Sequence, residues 1–318
     1  MSEFKEIFKK VNGIEKLKEF ARSKVLLFSL AITGLLGTNR KSLEIVRLAV
    51  ENKIYRRLKR QNAGFIKDFV ERTKNEELEH HHRNTIWTIW LQGIDQAPFI
   101  VQKCIGSIRR NIPDREIVVI TEDNYSDYVS FPEHIMRKYH EGIISKVHFA
   151  DLLRIELLCK YGGTWLDGTV FVSSLKENHS FYLDSNLFLF QILKPGLDGH
   201  CSSISSWMMT ASSNQRIMLL VRELLHNYWK THDRAEDYFI LHDFFQMSIE
   251  TYPEDWQKVV PVSSEMPHVL LLRLFDVYDE KIWEQVCDIT PFHKLSYKYD
   301  TSDELKEGTY FNKIIKGS

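Results

Sequence analysis

The chain has 318 residues, 43% of them hydrophobic and 27% charged, with a formal net charge of −1. That length suits one large α/β domain with an appendage, or two domains, and only 14 Gly and 8 Pro argue against a long disordered or low-complexity region. The near-neutral balance hides an asymmetry: residues 1–84 carry 19 Lys and Arg against 11 Asp and Glu, whereas residues 85–318 carry 23 against 32. A basic front joined to an acidic body suggests that the front meets an anionic surface.

Residues 1–78 read as helical. Phe4, Ile7, Phe8 and Val11 recur at helical spacing beside Lys5, Lys9 and Lys10, and residues 44–69 form another amphipathic stretch bearing Arg56, Arg57, Lys59 and Arg60. Two readings stand: a helical hairpin packed on the main domain with a solvated charged face, or a surface that docks on anionic lipid headgroups. No aromatic platform or reader motif accompanies the charge, so nucleic acid is not an expected partner. Residues 25–37 are an apolar run of 13, short of the roughly 20 needed to span a bilayer. A buried helix or a segment in a membrane interface fits it better than a signal peptide. Cys104, Cys159, Cys201 and Cys287 form no Cys-x-x-Cys pair, which predicts reduced thiols and a cytoplasmic chain, peripheral to the inner face of the membrane if the basic front docks there. His80–His82 read as an exposed linker at the boundary between a front region, 1–84, and a body, 85–318.

From Thr85 the pattern becomes strands alternating with helices. Residues 85–91 are a β-branched and aromatic strand. Residues 97–111 are an amphipathic helix, with Ile100, Cys104, Ile105 and Ile108 on one face. Further strands are expected at 116–120, 164–172, 187–191 and 206–210, and helices at 132–140, 146–161, 214–232 and 237–251. In the helix 146–161, Leu152, Leu153, Leu157 and Leu158 form the core stripe while Asp151 and Arg154 face elsewhere. This order predicts an α/β sandwich with a mostly parallel sheet and an N-terminal helical region.

Chemistry concentrates between 151 and 170. Gly162 and Gly163 allow a tight turn from helix to strand and close backbone approach, and the strand they open ends on Asp167. Ligands of open α/β sheets sit at the carboxyl ends of the strands, and an acid there needs a cation, a sugar hydroxyl or a buried partner. Two later blocks carry further candidates. In 237–246, His242 either points into the site or is a hydrogen-bonded core histidine. In 291–298, His293 and Lys294 are late candidates, a lysine being a suitable point charge for phosphate, unless this is a solvated tail. Trp207, in 206–210, reads as a buried core residue.

Three blocks occur in order: Ile86 to Gly93 (IWTIWLQG), Ser145 to Arg154 (SKVHFADLLR) and Tyr161 to Val170 (YGGTWLDGTV). Together they resemble the capsular polysaccharide synthesis family of glycosyltransferases, related to glycosyltransferase family 32 and, more distantly, to the sugar-transferring domains of large clostridial toxins. The resemblance covers roughly residues 85–300. It implies a GT-A fold, a Rossmann-type α/β/α sandwich with a nucleotide sugar at the strand ends. It places Trp90 where relatives stack a ring on the nucleobase, Asp151 and Arg154 where they grip donor sugar and nucleotide, and Asp167 as the first acid of an Asp-x-Asp motif. Position 169 is Thr, so the second acid is absent. Asp167, helped by Thr169 and completed by His242, is the expected site of a divalent cation, Mn2+ or Mg2+. The implied activity is hexosyl transfer, with retention, from a nucleotide sugar, most simply UDP-linked, to a lipid-linked oligosaccharide in capsule or exopolysaccharide assembly. A non-catalytic nucleotide-sugar-binding subunit and a cytosolic protein glycosyltransferase are the alternatives.

Overall fold

Strands β1 (Thr85–Ile89), β2 (Glu116–Ile120) and β3 (Gly163–Leu166) form the parallel part of the central sheet, with β1 paired to both neighbours. In this computed structural model, which describes residues 8, 13–193 and 202–317, two more strands complete that sheet. β6 (Ile204–Ala211) runs antiparallel to β3, and β5 (Leu187–Gln191) antiparallel to β6. The order is β2-β1-β3-β6-β5, so β6 alone runs against the other four. A separate two-stranded sheet pairs β4 (Val170–Val172) with β7 (Phe292–Lys294).

The period-two alternation of side chains divides the core. Ile86, Leu166, Phe188, Phe190 and Met208 face one way, where Ile108 and Ile112 approach from helix α4 (Phe99–Asn111) and its C-cap. Trp87, Trp165, Leu187, Leu189 and Met209 face the other way, where α6 (Lys146–Tyr161), α7 (Arg216–Thr231) and α8 (Ile240–Thr251) contribute to one buried cluster. Helices cover both faces, as the α/β sandwich reading requires. A further helix, α5 (Glu133–His140), follows Pro132 at its N-cap. Residues 164–172, expected as continuous strand structure, divide into β3 and β4 around the turn that carries Asp167.

The helices α1 (Gly13–Arg22), α2 (Leu26–Leu36) and α3 (Arg40–Thr73) precede the sheet. Asn39 caps α3, its side-chain oxygen accepting from Ser42 N at 3.0 Å. Val46, Val50, Ile54 and Leu58 recur every four residues along α3 and are buried in the same cluster as Trp87 and Trp165. Arg57 locks the arrangement: it donates to the Ser23 carbonyl at 2.8 Å and pairs with Glu236 at 2.6 Å. The long helix is thus a structural part of the body's core. The buried-helix reading of 25–37 is corrected: Val25 and Ser29 are buried, but Leu27 and Leu35 are 82% and 83% exposed. The expected pattern of Phe4, Ile7 and Val11 lies outside the described residues, as does Cys201. Cys104, Cys159 and Cys287 are free thiols.

The histidine run is more tightly held than a linker. His80 Nδ1 lies 2.9 Å from the Ser213 carbonyl, and His81 N donates to Ser213 Oγ at 2.9 Å. This segment crosses the end of α6, which explains the Gly-Gly turn. Gly162 and Gly163 have φ of +69° and +98°, and a Cβ would meet His81 O at 2.6 Å and Thr85 O at 2.5 Å respectively. Both therefore serve backbone crossing at the start of β3. Replacing Gly163 with Ala combines backbone strain with a clash against an immovable carbonyl. We expect it to lower unfolding free energy by more than about 1 kcal/mol, read as a shift in urea midpoint; an unchanged midpoint would refute this account of the turn.

Candidate active site

β3 delivers Asp167 to the carboxyl ends of the parallel strands. The Asp167 N–H donates to the Trp207 carbonyl at 2.9 Å, and its carbonyl accepts from Val170 N at 2.9 Å, which turns the chain into β4. Gly168 lets this turn press on the end of β1: a Cβ there would lie 3.1 Å from Ile89 O and 3.7 Å from the Trp90 ring. Asp167, Thr169 and Trp90 are therefore neighbours across the turn.

Three groups converge on the Asp167 carboxylate. Trp165, two residues earlier on the same strand, donates its indole N–H to Oδ1 at 3.0 Å. Arg154 Nη2 lies 3.4 Å from the same oxygen. Lys294 Nζ donates to Oδ2 at 3.0 Å and to Thr169 Oγ1 at 2.5 Å. The lysine is 127 residues away in sequence, and strand pairing brings it here. β7 pairs with β4 in the register Val170↔Lys294, and Leu295 N donates to the Thr169 carbonyl at 2.9 Å.

Arg154 is fixed from several sides. Nη1 donates to the Ser206 carbonyl at 2.7 Å, Nη2 lies 3.5 Å from Asp151 Oδ1 one helical turn away, and the guanidinium sits 5.0 Å from the Trp165 ring centroid. Its Nε is buried without a protein partner. The two acids are set differently. Burial pushes Asp151 up to about 6, against the pull of Arg154. Burial also opposes ionisation of Asp167, but Lys294, Arg154 and the Trp165 indole overcome it and hold that carboxyl below its ordinary range. Two acids in one cluster thus have pKa values driven apart, a pattern typical of functional sites.

Other candidates are placed differently. Trp90 sits beside the turn, edge-on to Tyr297 at 5.5 Å, with its indole N–H buried and unpartnered. His242 lies on α8, and burial and the nearby Arg154 charge lower it to about 4, leaving a neutral ring whose Nδ1 has no protein partner. No ion pair joins His242 to Asp167 among the described residues. His293 is corrected. Strand alternation turns it away from Lys294 into the core, where Nε2 is 3.1 Å from Ser173 Oγ and the ring packs 5.0 Å from Trp283. Burial lowers it to about 3. Gly162 and Gly163 sit at the opposite end of β3 from Asp167, so they do not line this cluster. The solvated-tail reading of 291–298 is overturned by β7, and Trp207 is a core residue stacked on Phe190 at 4.5 Å. Trp165 was not singled out from the sequence, although its position two residues before Asp167 places it on the same side of an extended chain.

The donor set was tested against the expected divalent cation. Among the described residues no group of three or more His, Cys, Asp and Glu side chains is gathered as a metal centre. Both Asp167 oxygens already accept from cationic or indole donors, and the Thr169 hydroxyl is engaged by the same ammonium. A divalent ion about 4 Å from that ammonium would meet repulsion on the order of 8 kcal/mol at an effective dielectric of about 20. With Lys294 in this position, the residues do not fit a resident metal.

The acids and cations are gathered at the ends of the parallel strands, the place where α/β proteins of the open-sheet kind bind their ligands. Residues 38–314 match the family described as capsular polysaccharide synthesis protein, and the chain belongs to that family. The match takes in α3, extending the resemblance expected from residue 85 onward. O-glycosyltransferase braB of Annulohypoxylon truncatum is 30% identical over 122 residues, 33% of this chain and 29% of that protein. The chain therefore spans less than a third of that relative's length. The solved PaToxG glycosyltransferase overlaps 86% of this chain and 98% of its own at 14% identity, with a TM-score of 0.39. A shared fold does not follow from overlap at that level.

The Asp151 pKa gives a stability prediction. The folded state keeps the proton between the ordinary value of 3.8 and about 6, where the unfolded chain has lost it. Stability from this group is present below that window and lost as pH rises through it. Asp151→Asn removes the titration. Its stability relative to wild type should rise by roughly 2–3 kcal/mol between about pH 4 and pH 7; a pH-independent difference in urea unfolding would contradict the assignment.

Proposed function

We propose that the chain is a glycosyltransferase that moves a hexose from a nucleotide sugar, most simply a UDP-sugar, to a lipid-linked saccharide in capsular or exopolysaccharide assembly. The observation that carries this reading is the cluster at the strand ends: one ionised carboxylate, Asp167, braced by Arg154 and Lys294. Transfer breaks the bond between the anomeric carbon and the diphosphate and leaves negative charge on the departing phosphate. Cationic donors fixed before the reaction stabilise that charge without reorganising. Arg154 and Lys294 supply them, and Asp167 orients both while accepting from donor hydroxyls. Trp90, beside the turn, offers a ring face for the base. Asp151 positions Arg154. Family membership and the name of the curated relative support the same class of reaction. Retention at the anomeric carbon is part of the proposal and is read from the product by NMR.

The acceptor reading is supported by α2. Leu27, Leu30, Leu35 and Leu36 are exposed on a helix with no charged residue in it, while Lys24, Arg40 and Lys41 flank it in sequence. No described helix is long and apolar enough to cross a membrane. A short apolar helix with basic flanks suits the headgroup boundary of an anionic bilayer. We expect the protein to sediment with phosphatidylglycerol vesicles, and Leu27→Glu with Leu35→Glu to weaken this at least tenfold. Equal sedimentation of the double variant would remove α2 from the reading.

A panel of nucleotide sugars tests the activity. The expected result is slow release of nucleoside diphosphate without acceptor, and a loss of at least 100-fold in an Asp167→Asn protein that circular dichroism shows to be folded. Binding of a nucleotide sugar with neither hydrolysis nor transfer would favour a non-catalytic binding subunit, for which Thr169 in place of a second acid is the supporting observation. Wild-type turnover by Asp167→Asn would sink the site assignment.

A further inference from the structure

The side chains at the two ends of the Asp167-Gly168-Thr169 turn already share a cation. Lys294 Nζ bridges Asp167 Oδ2 at 3.0 Å and Thr169 Oγ1 at 2.5 Å. We propose that this ammonium stands in the place of a divalent ion, so that the chain binds the diphosphate of its donor through Lys294 and Arg154 without needing a metal. The inference rests on the nucleotide-sugar reading above and deepens it.

Three observations carry it. First, the ammonium is delivered by backbone register. Lys294 is paired opposite Val170, and Leu295 N bonds the Thr169 carbonyl, so the stem of the lysine starts from a fixed point beside the motif. Second, neither oxygen of Asp167 is left without a donor: Oδ1 takes the Trp165 indole and Arg154 while Oδ2 takes Lys294. Third, the charges balance. Asp151 and Asp167 face Arg154 and Lys294, and no further acid joins them as a metal-binding group among the described residues. The Lys294 side chain keeps 20% of its surface exposed, so it is not sealed off from an incoming ligand. An ammonium with three donors can hold Asp167 and Thr169 and still direct one proton to an incoming phosphate.

The test uses the full chain with UDP and, separately, GDP as probes, by isothermal titration calorimetry. Titrations are run in chelator and again with Mn2+. We expect the nucleotide that binds to do so with dissociation constants within about threefold in the two conditions. Lys294→Met should weaken it at least tenfold in chelator while thermal unfolding shows a folded protein. Direct Mn2+ binding, followed by electron paramagnetic resonance with nucleotide present, should be absent in the wild type. Nucleotide binding that appears only with Mn2+, or falls more than tenfold on chelation, would overturn the inference and leave the proposed function standing. The chelator comparison needs no variant, so misfolding of Lys294→Met cannot mask the result. Failure of every nucleotide and nucleotide sugar to bind in either condition would remove the nucleotide-sugar reading, and this inference with it.

Discussion

Much of this site depends on how one ionised carboxylate is kept at the end of a buried strand. Asp167 gains its charge against the cost of burial because an indole N–H, a guanidinium and an ammonium converge on it. Each of those donors is held by a different element: Trp165 by β3, Arg154 by α6, Lys294 by β7. Removing either cation would leave the remaining charges less well matched, since a buried charge without a partner costs several kcal/mol, and removing the indole would take away a hydrogen bond to the carboxylate. The turn from β3 to β4, the close approach of Gly168 to Ile89 and the pairing of β4 with β7 together set the geometry of this single ion cluster.

The two acids of the cluster illustrate how environment divides identical chemistry. Asp151 and Asp167 both contact Arg154, yet one is pushed up to about 6 and the other is held below its ordinary range. The difference is the second cation. Lys294 reaches Asp167 and Thr169, so the carboxylate nearest the strand end stays charged. Asp151 has only a 3.5 Å approach to a guanidinium already committed to the Ser206 carbonyl and the Trp165 ring. A charge-rich but nearly balanced cluster suits a ligand that brings its own negative charge, because incoming phosphate can then be met by cations that are already oriented.

The N-terminal helices are joined to this site through the shared core. α3 buries Val46, Val50, Ile54 and Leu58 in the cluster that backs the sheet, and Arg57 ties Ser23 to Glu236 in the loop that leads into α8. α2 rides on this framework with its leucines outward. The basic residues of α3 thus belong to a helix packed against the body, with the apolar α2 beside it.

The amino-acid sequence determined the α/β alternation, the positions of β2, β5 and α6, and the importance of the stretch from Asp151 to Val170, because those depend on local periodicity and on residue types within a few positions of one another. It also contained the Trp165–Asp167 relation as a simple spacing of two. The tertiary structure decided what is separated by long stretches of chain. Lys294 joins Asp167 across 127 residues only because β7 pairs with β4, and the same alternation sends its neighbour His293 into the core. Gly162 and Gly163, which by type alone fit a ligand loop, are required by the crossing of His81 and Thr85 over their backbone. Which face of the 25–37 run is buried depended on whether another surface covers it, and the fold leaves Leu27 and Leu35 uncovered. Local pattern sets which elements form and which residues carry charge; strand register and crossing contacts, which no short window contains, set which of those charges meet.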